Sequence, residues 1–327
     1  MAKLTILLIF GLISTTLTTP VITRKDLYQL NDKTKQCSNL LHLNNAYYTL
    51  DEVKTIDGIP ADMAVHWQTE NIYFTLISDS MKMSLQVLHA GWDIEAIKVT
   101  GLGQSTCVDN LNDIVYIATD NGVYKLKDDV IEPYTATGED VMYIALTHEG
   151  TVMYIATWPQ NRVQRITNNG NVQESFQDIP NGHGLVADTR NNLYFTATKT
   201  SYILKSGQRV PVNIIGLSKD KITGVYVSRL DEVYAMDESS NFFKIDPDNS
   251  RAKLLGSFNV TGVNTFAMDA FDNVIIGVKG KIMKFRTHEE NPCIGLFKTN
   301  IKKRQNAKML RKRKTTTTPD PEESDEE

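Results

Sequence analysis

The chain predicts an all-β fold, a six-bladed β-propeller closed by an N-terminal strand, and three observations carry that expectation. A tyrosine returns on a nearly constant step: Tyr73, Tyr116, Tyr154, Tyr194 and Tyr234, with Ile275 in the sixth place, at intervals of 43, 38, 40, 40 and 41 residues. The text around it repeats as a short apolar strand, as in Asp113-Ile-Val-Tyr-Ile-Ala-Thr119, Thr151-Val-Met-Tyr-Ile-Ala-Thr157 and Asn192-Leu-Tyr-Phe-Thr196. A period near 40 residues filled with short strands and turns marks a propeller blade. Finally, the two ends of the repeat region complement each other. The sixth unit has no outer strand after Arg286, where residues 287–292 read as a loop, while residues 46–55 form a strand-like stretch with no blade of their own. Joining the two removes two exposed sheet edges at once.

The elements follow in chain order. Lys3 precedes an apolar run over residues 4–13, and small polar residues follow from 14 to 19. That run is too short to span a bilayer, so residues 1–19 read as a cleaved signal peptide and the mature protein as secreted, extracellular and without a transmembrane segment. An oxidising compartment favours disulfides, and the chain has 3 cysteines. Cys37 precedes the first repeat and Cys293 follows the last, so a closed ring brings them to one seam. A Cys37–Cys293 bridge closing so long a loop is worth about 5 kcal/mol on the chain-entropy model. Cys107 falls in an inner strand and is expected to be a buried free thiol.

Residues 20–300 are assigned to the propeller, four strands per repeat. In the fourth repeat these are 184–188, 193–198, 201–206 and 209–215, with turns at Asn191-Asn192 and Ser206-Gly207. Third strands are expected at 123–127, 162–167, 241–245 and 282–286. The repeated tyrosine reads as an aromatic packed between blades with its hydroxyl satisfied at the edge, hence as core. Asn259-Val-Thr261 is a glycosylation sequon in a loop before the sixth repeat. From residue 301 the composition changes to 8 Lys or Arg between Lys302 and Lys314, then 6 acids between Pro319 and Glu327. Neither block can bury apolar surface, so 301–327 is expected to be disordered.

A formal net charge of -4 argues against nucleic-acid binding. Eleven residues before each anchor stand Asp62, Ser105, Tyr143, His183, Thr223 and Asn264, all polar and all where an inner strand begins. Loops between second and third strands open on the same face, and the third repeat contributes Trp158 there. This polar ring with an aromatic wall suits a flat ligand bearing polar groups, although a wet channel would by itself place polar residues at these positions. Catalytic residues are not indicated: no Gly-x-Ser-x-Gly elbow occurs and the 6 histidines lack ligand spacing. A calcium-dependent lactonase would take oxygens from Asn181, Asn264 and Asp62, but no inner-strand glutamate joins them, so no metal and no cofactor are assigned.

The stretch Cys37…Tyr47-Tyr48…Asp57-Gly-Ile-Pro, with Asn71-Ile-Tyr-Phe-Thr75, Ile179-Pro-Asn-Gly-His-Gly-Leu-Val-Ala-Asp188, Asn192-Leu-Tyr-Phe-Thr196 and Asn291-Pro-Cys293, resembles the insect ommochrome-binding proteins over residues 35–295. It also resembles the wider gluconolactonase-like and NHL-like propellers. The resemblance implies a secreted, haemolymph-like, non-enzymatic protein that carries a planar phenoxazinone pigment of the ommatin or xanthommatin type. On that reading the ligand stacks on Trp158 or Tyr143 and hydrogen-bonds to Asp62, Asn181, His183, Thr223 or Asn264, in a protein acting as a monomer. The alternatives are a metal-dependent lactonase or esterase and a propeller that binds another protein on its open face.

Overall fold

The computed structural model describes residues 37–294, apart from 148–149, 160, 168–169, 176–178, 180, 198 and 219–220, and leaves aside the side chains of 172–174. The expected signal peptide and the charged tail lie outside the described residues. Within them the chain is almost wholly β. It opens with β1 (Leu41–Leu43) and β2 (Ala46–Thr55), a hairpin turning through Asn44 at φ 55°. The first blade then holds β3 (Ile59–Val65), β4 (Ile72–Ile77), β5 (Met83–Leu88) and β6 (Ile94–Ala96), and the second β7 (Gly103–Asp109), β8 (Ile114–Thr119), β9 (Gly122–Lys127) and β10 (Val130–Thr135). The third holds β11 (Val141–Leu146), β12 (Met153–Thr157), β13 (Arg162–Thr167) and β14 (Val172–Ser175), and the fourth β15 (His183–Ala187), β16 (Leu193–Ala197), β17 (Thr200–Leu204) and β18 (Val212–Asn213). The fifth holds β19 (Ile222–Val227), β20 (Val233–Asp237), β21 (Asn241–Asp246) and β22 (Arg251–Ser257); the sixth holds β23 (Val263–Met268), β24 (Val274–Val278) and β25 (Lys281–His288).

The sixth sheet is completed from the other end of the chain. β2 pairs antiparallel with β25 from Tyr47↔His288 to Thr55↔Lys281, and β1 adds a fifth strand outside it. The segment assigned from sequence is therefore the closing strand, residue for residue. Every backbone donor that β2 gives β25 would otherwise face solvent on an open edge, so closure stabilises both ends of the ring together. Cys37 and Cys293 are bonded across the same seam, with their Cα atoms 5.9 Å apart.

Apolar packing repeats with the blades. Each of six clusters joins two neighbouring sheets. Tyr116, Ala118 and Ile155 pack the second blade on the third, and Phe74, Ile275 and Ile282 pack the first on the sixth. Alternation along each strand puts one face toward each neighbour, which is why second strands read as continuous apolar runs. The repeated tyrosines belong here. Tyr194 is fully buried, and its hydroxyl donates to Asp188 Oδ2 at 2.8 Å; Tyr234 donates to Glu232.

One strand departs from expectation. The outer strand of the fourth blade, expected over 209–215, is reduced to Val212–Asn213. Pro211 has no N–H to give the ladder, and Ile215 leaves its own blade to bridge Arg251 of the fifth, with Ile215 N donating to Ser250 O at 3.0 Å and Ala252 N donating to Ile215 O at 2.7 Å. Among the described residues no helix is long and apolar enough to cross a membrane.

Candidate functional site

The six inner strands surround a channel with a cavity of about 1160 Å³. At its mouth all six carry a register shift against their second strand, between Ala61 and Ala64, Gly103 and Ser105, Val141 and Tyr143, His183 and Val186, Ile222 and Gly224, and Val263 and Thr265. A bulge frees a residue from the ladder and turns its side chain, and such features gather at barrel rims and sites. In the fourth blade the bulge contains Gly184 at φ +62°, a conformation that glycine adopts without penalty. In the first it contains Asp62 at φ 49°, which aspartate tolerates better than most residues.

The expected ring maps onto this rim in two ways. Asp62, Thr223 and Asn264 occupy the bulges, whereas Ser105, Tyr143 and His183 are paired beside them. Asp62, Tyr143, His183, Thr223 and Asn264 all line the cavity. Ser105 does not, being 1% exposed behind it; the bulge residues of the second and third blades are Gln104 and Met142, and both line the channel. The structure separates two further candidates from the cavity. Trp158 is 56% exposed on its loop, and neither it nor Asn181 lines the channel. Asn181 acts indirectly, its backbone carbonyl accepting a hydrogen bond from His183 Nδ1 at 3.0 Å. That bond fixes a proton on Nδ1 and leaves Nε2 of the neutral ring as an acceptor.

The aromatic wall is instead Tyr143 with His183, whose rings lie 6.2 Å apart at 41°. Burial, and then the charge of Asp62, raise the Tyr143 hydroxyl above its ordinary range, so it stays a neutral donor. Asp62 accepts a hydrogen bond from Thr106 N at 2.8 Å, yet burial dominates and pushes its carboxyl up to about 6. Cys107 is free as expected, but it is part-buried and lines the channel rather than filling the core. Burial, then Asp62 and Asp109, push its thiol well above the ordinary value, which makes it a poor nucleophile.

Sequence reading missed Lys199 and Lys221, which line the mouth from the fourth and fifth blades, and Glu238 from the loop after β20. Neither ammonium group has a hydrogen-bonding or ion-pairing partner among the described residues. Nothing in the 40-residue pattern marks them, because both precede or follow strands in loops of unequal length. Among the described residues no three of His, Cys, Asp or Glu stand together as a metal site. Of the oxygen donors considered for a lactonase, Asp62 and Asn264 line the channel and Asn181 does not.

No family model and no curated protein matches the sequence. Solved structures do match in fold. A gluconolactonase from Xanthomonas campestris superposes with a TM-score of 0.59 at 12% identity, covering 76% of this chain and 91% of that one. The fold is a six-bladed β-propeller with gluconolactonases among its structural neighbours. Virginiamycin B lyase from Staphylococcus aureus matches with a TM-score of 0.50 at 12% identity over 74% of this chain and 87% of that one. A chain of a nidogen/laminin complex matches with a TM-score of 0.52 at 16% identity over 68% and 92%. Two enzymes and a protein complex on one scaffold show that the architecture leaves the activity open.

Proposed function

We propose that this protein is a secreted, non-enzymatic carrier of a small planar aromatic molecule of the ommochrome type, held in the propeller channel. The single observation that carries the reading is the composition of the cavity wall. Tyr143 and His183 offer ring faces, while Asp62, Thr223, Asn264 and the two lysines offer separate polar anchors in a space of about 1160 Å³. A site that is apolar in body with a few placed polar groups suits a flat ligand with carboxyl and carbonyl substituents. Cys107, the nucleophile on the wall, is held protonated, which favours binding over covalent chemistry. The disulfide between the ends of the ring supports an oxidising compartment.

Titration of the full-length protein with xanthommatin, followed by visible absorbance and by tryptophan fluorescence, tests the reading. Trp67 lines the cavity and serves as the internal reporter. Saturable quenching with a spectral shift at micromolar pigment is expected; unchanged spectra would remove the proposal. Secretion is checked separately, by expressing the full chain in insect cells and finding it in the medium rather than in the lysate.

A further inference from the structure

On the face opposite the mouth, the turns leading from inner to second strands differ from blade to blade. In the second, fifth and sixth blades the turn tip is a large apolar residue, Leu111, Leu230 or Phe271, exposed to 60%, 70% and 65%. Each tip is fixed by the side chain that opens its turn. Asp109 Oδ1 accepts from Leu111 N at 3.1 Å, Ser228 Oγ from Leu230 N at 3.3 Å, and Asp269 Oδ1 from Phe271 N at 2.9 Å. A carboxylate follows each tip, Asp113, Asp231 and Asp272 at φ 60°, 61° and 59°, and the first blade places Glu70 there at φ 57°. The third and fourth blades have Gly150 and Asn191 at this position. Since the fifth, sixth, first and second blades are consecutive in the ring, the tips and carboxylates form one arc.

The cations near the arc are few and mostly engaged. Lys284 pairs with Asp269 at 2.9 Å and reaches Glu70 only at 3.9 Å, Lys244 pairs with Glu232, and Arg190 pairs with Asp248. Lys127 Nζ donates to the Asn112 carbonyl, and His66 Nε2 lies 2.6 Å from Asp113, whose side chain stays exposed. Burial, then Glu232 and Asp269, raise the Asp272 carboxyl, and Arg229 in the fifth-blade turn only partly offsets them. An exposed apolar arc set among carboxylates suits a partner that is basic and carries apolar residues of its own.

This chain has such a segment and delivers it to the same face. Residues 301–314 combine 8 Lys or Arg with Ile301, Met309 and Leu310. β25 ends at His288, and Thr287 just before it donates from its N to Asn273 Oδ1 at 2.9 Å, in the sixth-blade turn that carries Phe271. The bond from Cys293 to Cys37 ties the exit to the ring. From Cys293 to Lys302 the chain reaches about 30 Å at full extension. A tether of that length holds the segment at an effective concentration of about millimolar, so even weak pairing suffices.

We propose that residues 301–314 dock in cis on this arc, with Met309 and Leu310 against the apolar tips and the lysines and arginines on Glu70, Asp113, Asp231 and Asp272. Trp67, Leu111 and Arg229 also line the far end of the channel, so the docked segment covers that end and leaves the mouth free. This docking is independent of what the channel holds.

Carbodiimide coupling, which joins a lysine to a carboxylate it touches, tests the proposal on the full disulfide-bonded chain, with the monomer band read by mass spectrometry. The expected links run from lysines within 302–314 to Glu70 and Asp113, across the ring from the exit. They are expected to fall about tenfold at about 0.5 M salt, and likewise in the full chain carrying Arg311→Glu with Arg313→Glu. Those tail substitutions leave the packing of the ring untouched; Phe271→Ser, checked for folding by circular dichroism, is expected to lower the same links. Links no more frequent to Glu70 and Asp113 than to Asp79, Asp120 and Glu238, in turns on the mouth face, would overturn the proposal. Links confined to the acidic run 319–327, or to a second copy in a dimer band, would overturn it as well.

Discussion

Replacing Asp62 with asparagine removes a buried negative charge from the channel wall while keeping an acceptor for Thr106 N–H. Burial is the leading cause of the raised Asp62 carboxyl, which moves from 3.8 to about 6. A carboxyl whose pKa is higher in the folded than in the unfolded chain holds its proton more tightly when folded. The stability it lends is therefore complete at low pH, below the unfolded value, and is lost as pH rises through about 6. Two units correspond to about 3 kcal/mol at most, a large share of the net stability of an ordinary domain. The asparagine variant does not titrate. Urea unfolding of both proteins from about pH 4 to about pH 7.5 should show the variant gaining on the wild type by about 2 to 3 kcal/mol across that interval. A difference that stays constant with pH would show that Asp62 is solvated in the channel and would refute the reasoning.

Further outcomes follow from the seam, the wall and the surface. Cys37→Ser should lower Tm by about 10 °C, because it releases a loop of 256 residues worth about 5 kcal/mol; an unchanged melting curve would mean that the β2–β25 pairing alone holds the ring. A chain starting at residue 56 lacks β1 and β2, exposes the edge of β25, and should be recovered as aggregate rather than monomer on size-exclusion chromatography. Tyr143→Ala should weaken xanthommatin at least tenfold with no loss of folded protein by circular dichroism. Asn259 is exposed in the loop between β22 and β23, so secreted wild type should show an endoglycosidase-sensitive band that Asn259→Gln lacks.

The ring was legible because its cause is periodic. Each blade must bury two faces against its neighbours, which forces an apolar second strand about every 40 residues, and the missing outer strand after Arg286 pointed to residues 46–55. The channel was less legible because function there depends on single bulges rather than on the period. An offset of 11 residues found Asp62, Thr223 and Asn264, which stand in the bulges, but it found Ser105 where the bulge residue is Gln104. The bulges sit at slightly different points along the six inner strands, and no one count can follow them. Trp158 was drawn toward the site by its loop's position on the correct face, yet the loop carries its ring outward into solvent. Lys199 and Lys221 were invisible for the opposite reason: isolated loop lysines are common, and only closure of the ring brings these two to one mouth.

Crystals of the full-length protein grown with xanthommatin test the channel as the ligand site most directly. The account predicts pigment density inside the ring, against Tyr143 and His183. Pigment density confined to the outer surface of the blades, with the channel unchanged, would contradict it.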